Sequence, residues 1–290
     1  MSMTMRSAQR GFTLVELVMV IVITGILAAT LTVFLKPAID SYVDTRRRAD
    51  LTDVADTALR RMAQDIRSAV PNSLRPGPGG YSTSCIQLVP TIAGGRYRMA
   101  SDTGKDTAPL PCTPSATCSA PLDTAQATTV FDVLSPMDTV PDKDDWIVID
   151  NQTTDDVYSG ANRAQISVAP TAPARSSDGL LRITVASTQF PVGYDGGRFV
   201  VVANAAPSVF FSCVNGALYR TVAGFAADRA ATCAATTGAL VASDVAGCTF
   251  VYDPNQGATQ QSGFVWIRLE LSRGGERVTL AHGVHVDNVP

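Results

Sequence analysis

Arg10-Gly11-Phe12-Thr13-Leu14-Val15-Glu16, followed by the uncharged residues 17–35, is the stretch that decides the fold of this 290-residue chain. The nineteen residues of that run, as a helix, rise about 28 Å, close to the ~30 Å hydrocarbon core of a bilayer. The run is therefore read as a membrane span. Arg6 and Arg10 precede it and the long polar remainder follows, which by the positive-inside rule places the N-terminus in the cytoplasm and the bulk of the chain on the far side. Glu16 is the odd residue. A carboxylate near one end of an apolar segment costs up to about 3 kcal/mol on insertion scales, so it calls for a cationic partner. Arg6 or Arg10 curling back would be the plain solution.

The order of residues suggests another. A short basic leader, a glycine, an aromatic residue and a glutamate five positions into the apolar run resemble the type IV prepilin signal. That resemblance implies that a membrane peptidase cleaves after Gly11 and N-methylates Phe12, and that Glu16 pairs with the Phe12 amine of a neighbouring subunit. Two such charges favour being buried together in a low dielectric. A secretory signal has a shorter apolar core, of about 7 to 15 residues, ending in a small-residue cleavage site. A plain uncleaved anchor is the remaining alternative for the span itself.

Composition bounds the rest. At 46% hydrophobic and 17% charged residues, the chain can bury a sizeable core outside the span. A net charge of −3 makes no case for nucleic acid, which is not expected as a partner. Cys85, Cys112, Cys118, Cys213, Cys233 and Cys248 suit an oxidising compartment. They include no C-x-x-C pair, and the chain holds two histidines, so no metal site and no cofactor are expected.

Gly25 and Ala29 give the span a small-x-x-x-small pair suited to close helix approach. Pro37 after Lys36 predicts a bend. Beyond it, Ile39, Val43, Leu51, Val54, Ala55, Ala58, Leu59, Met62, Ile66 and Ala69 recur mostly three or four apart, predicting one buried stripe on a helix that runs to Val70-Pro71. Arg46, Arg47, Arg48, Arg60 and Arg61 are read as a solvated or salt-bridged face, with lipid or nucleic-acid contact as the alternative. Residues 43–61 (VDTRRRADLTDVADTALRR) and Ala69-Val70-Pro71-Asn72-Ser73 are similar to the MshO-type minor pilins of mannose-sensitive haemagglutinin (MSHA) pili, relatives of the J-type minor pseudopilins of type II secretion. The similarity is carried by residues 10–75. Gly94-Gly95-Arg96-Tyr97-Arg98 and residues 284–290 add to it.

From Pro76 onward, Gly, Pro, Ser and Thr punctuate short β-rich runs. Strands are predicted at 85–88, 129–134, 146–150, 165–168, 180–186, 198–203, 209–214, 217–222, 248–253, 264–271 and 276–286. Asn215-Gly216 and Gly274-Gly275 predict tight hairpin turns, and Val265, Ile267, Leu269 and Leu271 alternate as one buried face. Residues 101–126, with Pro109, Pro111, Pro114 and Pro121, are read as a long surface loop in which Cys112 and Cys118 close a small ring. The preferred pairing leaves Cys85, Cys213, Cys233 and Cys248 to pair among themselves, one choice among fifteen connectivities.

No G-x-S-x-G elbow, P-loop or H-E-x-x-H helix is present, so no catalytic residue is assigned. His282 and His285 fall on opposite faces of a strand. Asp102 with Asp106, and Asp142 with Asp144 and Asp145, are read as solvated loop carboxylates. Trp146 and Trp266 are assigned to the core or a subunit contact.

The expected fold class is α+β: a long N-terminal helix, half transmembrane and half amphipathic, packed on an antiparallel β-rich, type IV pilin-like head. The expected segments are a cleaved leader 1–11, a membrane and assembly half 12–36, an amphipathic half 37–70 and a head 71–290. The resemblance implies a non-enzymatic minor pilin, at or near the tip of an MSHA-like pilus, that helps start assembly. Its implied partners are other pilins, the prepilin peptidase/N-methyltransferase, the inner-membrane assembly machinery and, before assembly, inner-membrane lipid. The head would be periplasmic and then extracellular. A pseudopilus subunit, a tip adhesin or DNA-capture subunit, and a membrane-anchored hydrolase are the competing readings.

Overall fold

The computed structural model describes residues 11–80, 82–192, 196–253 and 262–288. The chain divides into two compact units, one up to Asp50 and one from Leu51. Helix α1, Leu14–Arg67, contributes to both and is unbroken at Pro37. Among the described residues of the first unit the helix is the only regular element, and residues 14–43 are all exposed. Ile39 and Val43, expected on a buried stripe, are exposed as well, because no second element among those described residues covers them.

In the second unit Leu51, Ala55, Ala58, Leu59, Met62, Ala63 and Ile66 form a buried stripe at helical spacing, with Val54 exposed at its margin. The helix ends at Arg67, earlier than the sequence predicts. Ala69 instead pairs as an antiparallel bridge with Pro90, and the Val70 N–H donates to the Val89 carbonyl at 2.8 Å. The last residues before Pro71 thus join a strand.

Three short strands follow: β1 (Arg75–Pro76), β2 (Ser82–Thr83) and β3 (Cys85–Leu88). Next come β4 (Ala93–Arg96), β5 (Thr128–Val133), β6 (Trp146–Val148), the one-turn α2 (Asp156–Ser159), β7 (Arg163–Thr171), β8 (Leu181–Thr188) and β9 (Arg198–Val202). The chain finishes with β10 (Ser208–Val214), β11 (Ala217–Ala223), α3 (Arg229–Cys233), β12 (Ala239–Ala242), β13 (Val245–Asp253), β14 (Ser262–Arg273) and β15 (Glu276–Asp287).

These strands build three antiparallel sheets, ordered β1-β3-β10-β11-β12, β15-β14-β13-β2 and β4-β9-β6-β7-β8-β5. The first two pack on the helix stripe. Ile86, Leu88, Val209, Phe211 and Leu218 from one sheet, and Phe250, Val265, Ile267, Leu269, Leu271, Val284 and Val286 from the other, share a single core with Leu51 through Ile66. Arg220 of β11 pairs with Asp65 of the helix at 2.7 Å. Both hairpin turns form where glycine allows positive φ: Asn215 and Gly216 at 50° and 78°, Gly274 and Gly275 at 57° and 87°. Val265, Ile267, Leu269 and Leu271 are all buried, as their alternation predicts.

The third sheet is an insertion. β3 and β10 hydrogen-bond directly, with Leu88 opposite Val209, so everything between them leaves and re-enters at neighbouring strand ends. This inserted sheet comes round on itself. The Leu134 N–H donates to the Arg96 carbonyl and the Arg98 N–H to the Asp132 carbonyl, both at 2.8 Å, around a Tyr97–Val133 bridge that links the β4 and β5 edges. Such closure removes sheet edges and encloses a second core, where Phe131 meets Phe199 and Tyr97 edge-on. A third, smaller core of Val70, Val89, Val148, Val157, Tyr158, Val202 and Phe225 joins the insertion to the helix-backed sheets. Arg163 lies over both Trp146 and Phe225 in this joint, at 4.7 and 4.1 Å from the ring centroids.

Residues 101–126 hold no strand or helix, but they are not purely surface. Cys118, Ser119, Ala120 and Leu122 are buried against the insertion. Three bridges are present. Cys85–Cys233 ties β3 to the end of α3, Cys112–Cys118 closes a six-residue separation in the long loop, and Cys213–Cys248 joins β10 to β13, one helix-backed sheet to the other. Closing the 148-residue separation between Cys85 and Cys233 restricts the unfolded chain most, within a typical contribution of about 2–4 kcal/mol per bridge.

Met62 has no exposed surface and sits in the middle of the helix stripe that the two sheets cover. Met62→Ala is expected to lower the stability of the second unit by about 3 kcal/mol, whereas Val54→Ala costs under about 1 kcal/mol; urea unfolding followed by tryptophan fluorescence reads the difference.

Candidate functional site

The N-terminal site begins outside the helix. Gly11, Phe12 and Thr13 have no regular structure, Phe12 is 77% exposed, and a Cβ added at Gly11 would meet nothing within 4 Å. The Gly11–Phe12 peptide is therefore open, in the non-helical form in which a peptidase can engage a backbone. Arg6 and Arg10 lie outside the described residues.

Thr13 and Glu16 then start the helix together. The Glu16 N–H donates to Thr13 Oγ1 at 3.3 Å, and Thr13 Oγ1 donates to Glu16 Oε2 at 3.5 Å. This is a variant of the capping box, in which the glutamate three residues after the cap meets the cap's hydroxyl. The carboxylate also stands in the first turn, where the unpaired N–H groups of the helix favour negative charge. Glu16 is exposed and pairs with no cation among the described residues, which do not include Arg6 or Arg10. α1 is the one helix among the described residues long and apolar enough to cross a membrane.

Other residues singled out in the sequence are placed as follows. Arg47 pairs with Asp44 at 2.9 Å and Arg60 with Asp56 at 2.6 Å, exposed helical pairs worth little individually. His282 and His285 stand on opposite faces, His285 against the Phe264 ring. No group of three His, Cys, Asp or Glu side chains is placed to hold a metal among the described residues. Trp146 sits in the joint between cores, while Trp266 is 45% exposed and stacks on Phe264 outside any core.

Asp106 departs from its expected solvated state. Its side chain is fully buried, accepting from the Ser119 hydroxyl and N–H, the Asp102 N–H and Arg175 Nη2. Burial opposes its charge, but the hydrogen bonds from Ser119, Arg175 and Asp102 outweigh that and hold the carboxyl well below the usual carboxylate range. Arg182 does similar work beside it, binding Asp132 and the carbonyls of Ser115 and Cys118. Together these arginines fasten the long loop to the inserted sheet. Asp145, from the other acidic group, is buried and accepts from the N–H groups of Asp142 and Asn204.

One further feature escaped the sequence reading. A cleft of about 450 Å³ lies between the outer face of β4, β9 and β6 and the Val70–Pro71 segment. Arg96 and Arg198 stand on it directly opposite each other in the β4–β9 register. Asp150, 7% exposed, lines it too; burial pushes its carboxyl up, against an opposing hydrogen bond from Gln152.

Residues 6–32 match the model of the prokaryotic N-terminal methylation motif. The type IV major fimbrial protein FimA and a fimbrial protein of Dichelobacter nodosus are each 40% identical over 63 residues, covering 22% of this chain and 37% of the relative. The chain thus spans little more than a third of the length of these curated relatives. No solved structure matches the chain. The N-terminal segment, an open Gly-Phe junction leading into a capped apolar helix with Glu16 in its first turn, is type IV pilin-like.

Asp106 generates a pH-dependent prediction. Because its native pKa is depressed, the stabilisation is complete above its unfolded-state value of about 3.9 and is lost as pH falls through the native one. Asp106→Asn is expected to cost about 2 kcal/mol near neutrality. The gap from wild type should stay constant above about pH 5 and close below about pH 4, read by denaturant melts across pH.

Proposed function

We propose that this protein is a minor pilin of an MSHA-like type IV pilus, a structural subunit incorporated at or near the tip that helps prime assembly. The observation that carries this reading is the exposed Gly11–Phe12 junction set before the Thr13/Glu16 cap of an uncovered apolar helix. In this reading residues 1–11 are the leader, removed by a prepilin peptidase that then methylates Phe12. Residues 12–36 hold the subunit in the inner membrane before assembly and against other pilins after it. Residues 37–70 form the amphipathic half, and 71–290 the head, first periplasmic and then extracellular.

Glu16 is the assembly residue. Once Phe12 is the first residue, its amine stays basic, and the Glu16 of one subunit can neutralise the Phe12 amine of the next while both leave water. An unpaired carboxylate in a bilayer becomes a paired one in a filament, so the charge selects axial register as well as attraction.

A minor position is supported by bulk. The same 63 residues make up 37% of the fimbrial relatives but 22% of this chain, so the head here is the larger. An inserted closed sheet is harder to repeat along a filament than to place once at its end. A pseudopilus subunit of type II secretion would share all of this, and loss of secretion instead of pili on gene deletion would favour it. Mass spectrometry of the mature protein is expected to find an N-terminal peptide starting at methylated Phe12. Glu16→Ala should leave cleavage intact and reduce filament incorporation by about tenfold or more. Retention of residues 1–11, or normal incorporation of the variant, would overturn the proposal.

A further inference from the structure

We propose that the cleft between the inserted sheet and the Val70–Pro71 segment binds a small organic carboxylate: an anionic head held by Arg96 and Arg198, with an apolar body laid along Pro71 and Val200. This inference does not depend on the protein's place in a filament.

The first observation is the arginine pair. In the β4–β9 ladder Arg96 faces Arg198 directly, and both side chains are exposed. Like charges directly opposite each other destabilise a sheet, and proteins ordinarily relieve the contact with a nearby acid. Elsewhere in the insertion two arginines are paired in this way. Arg175 takes Asp106 and Asp178, and Arg182 takes Asp132. Arg96 and Arg198 make no ion pair among the described residues. The strand end that carries Arg96 is nevertheless fixed on its backbone, with its N–H donating to Ser135 Oγ at 2.9 Å and its carbonyl accepting from Leu134. Two arginines thus stand opposite each other on a fixed stretch of backbone, with no counter-charge among the described residues. Such a fork is matched by a carboxylate, which can accept from both.

The second observation is the cavity. Its volume of about 450 Å³ lies within the ordinary range for small-molecule sites, and Gly94 leaves its β4 wall without a side chain. Part of the polar wall is already satisfied internally. Asn151 donates to the Pro71 carbonyl and accepts from the Val157 N–H and Asn162 Nδ2. It supports the wall and leaves recognition to the arginines. Pro71 and Val200, both half-buried, supply the apolar surface, with the buried Val70 and Val148 behind them.

The third observation is Asp150, whose Oδ1 is buried without a hydrogen-bond partner. It is the acid of the cleft, yet it forms no ion pair with either arginine and accepts from Gln152 instead. Among the described residues the exposed rim is therefore cationic, and the one carboxyl of the lining is withdrawn into the wall.

Calorimetric titration of the full chain in detergent micelles, with empty micelles as the blank, tests this with benzoate, benzamide and inorganic phosphate as probes. Benzoate is expected to bind about tenfold or more tightly than benzamide, since only the charged head engages the arginines. It should also exceed phosphate by about tenfold, since phosphate has no apolar body. The R96Q/R198Q double variant should lose benzoate binding while melting at the wild-type temperature, and R268Q, a change on the distant β14, should bind as wild type. Equal binding of benzoate and benzamide, equal binding of benzoate and phosphate, wild-type affinity in the double variant, or no benzoate binding at all would overturn the proposal.

Discussion

An apolar helix with nothing packed on it cannot be left in water. Residues 14–43 offer isoleucine, leucine, valine and phenylalanine on every side, and the described residues of the first unit hold no other element to bury them. Lipid or other helices must supply the cover, because exposure of that much hydrocarbon costs far more than any single domain's stability. Once the solvent is apolar, Glu16 stops being an ordinary surface acid. Its contact with Thr13 and its place in the first turn moderate the local cost, but they provide no full counter-charge. The free amine that cleavage after Gly11 would create is a charge of the right sign a few residues away in sequence, and in an assembly it can come from a neighbour.

The same helix obeys a different rule from Leu51 onward. There one stripe meets two sheets, and the alternation along β14 and β15 turns alternate side chains toward it. The inserted sheet has no access to that stripe and so had to enclose a core of its own. Its closure through Tyr97 and Val133, the Arg175 and Arg182 clamps on the long loop, and the small shared core around Tyr158 are three parts of one solution. Arg75, over the Tyr158 ring at 3.3 Å and paired with Asp155, and the Tyr158 hydroxyl, donating to the Ser73 carbonyl, fix the joint with polar contacts where apolar area is limited.

Local signals were legible in the sequence wherever a short-range rule governs. The helical stripe, the two glycine-bearing turns and the alternation of 265–271 could each be read within a dozen residues. The expected strand at 85–88 has the same bounds as β3, and β5 through β11 lie within a few residues of their predicted positions. Gly94 and Gly95 concealed β4, and α2 and α3 are too short to show periodicity. Partition into three sheets, and closure of one, depends on which strands meet, which no local pattern states. Asp106 was read as solvated because its partner Arg175 is 69 residues away. Arg96 and Arg198, separated by about a hundred residues, become neighbours only through the ladder.

The direct pairing of β3 with β10 has a consequence for how such heads diversify. Since the two strands are joined by their own hydrogen bonds, the scaffold does not need the intervening polypeptide to complete it. The entropic cost of carrying a longer excursion there grows only logarithmically with its length. That strand end is therefore a socket, where one lineage can accept a bulky attachment and another a tight turn while the helix-backed frame keeps the same shape.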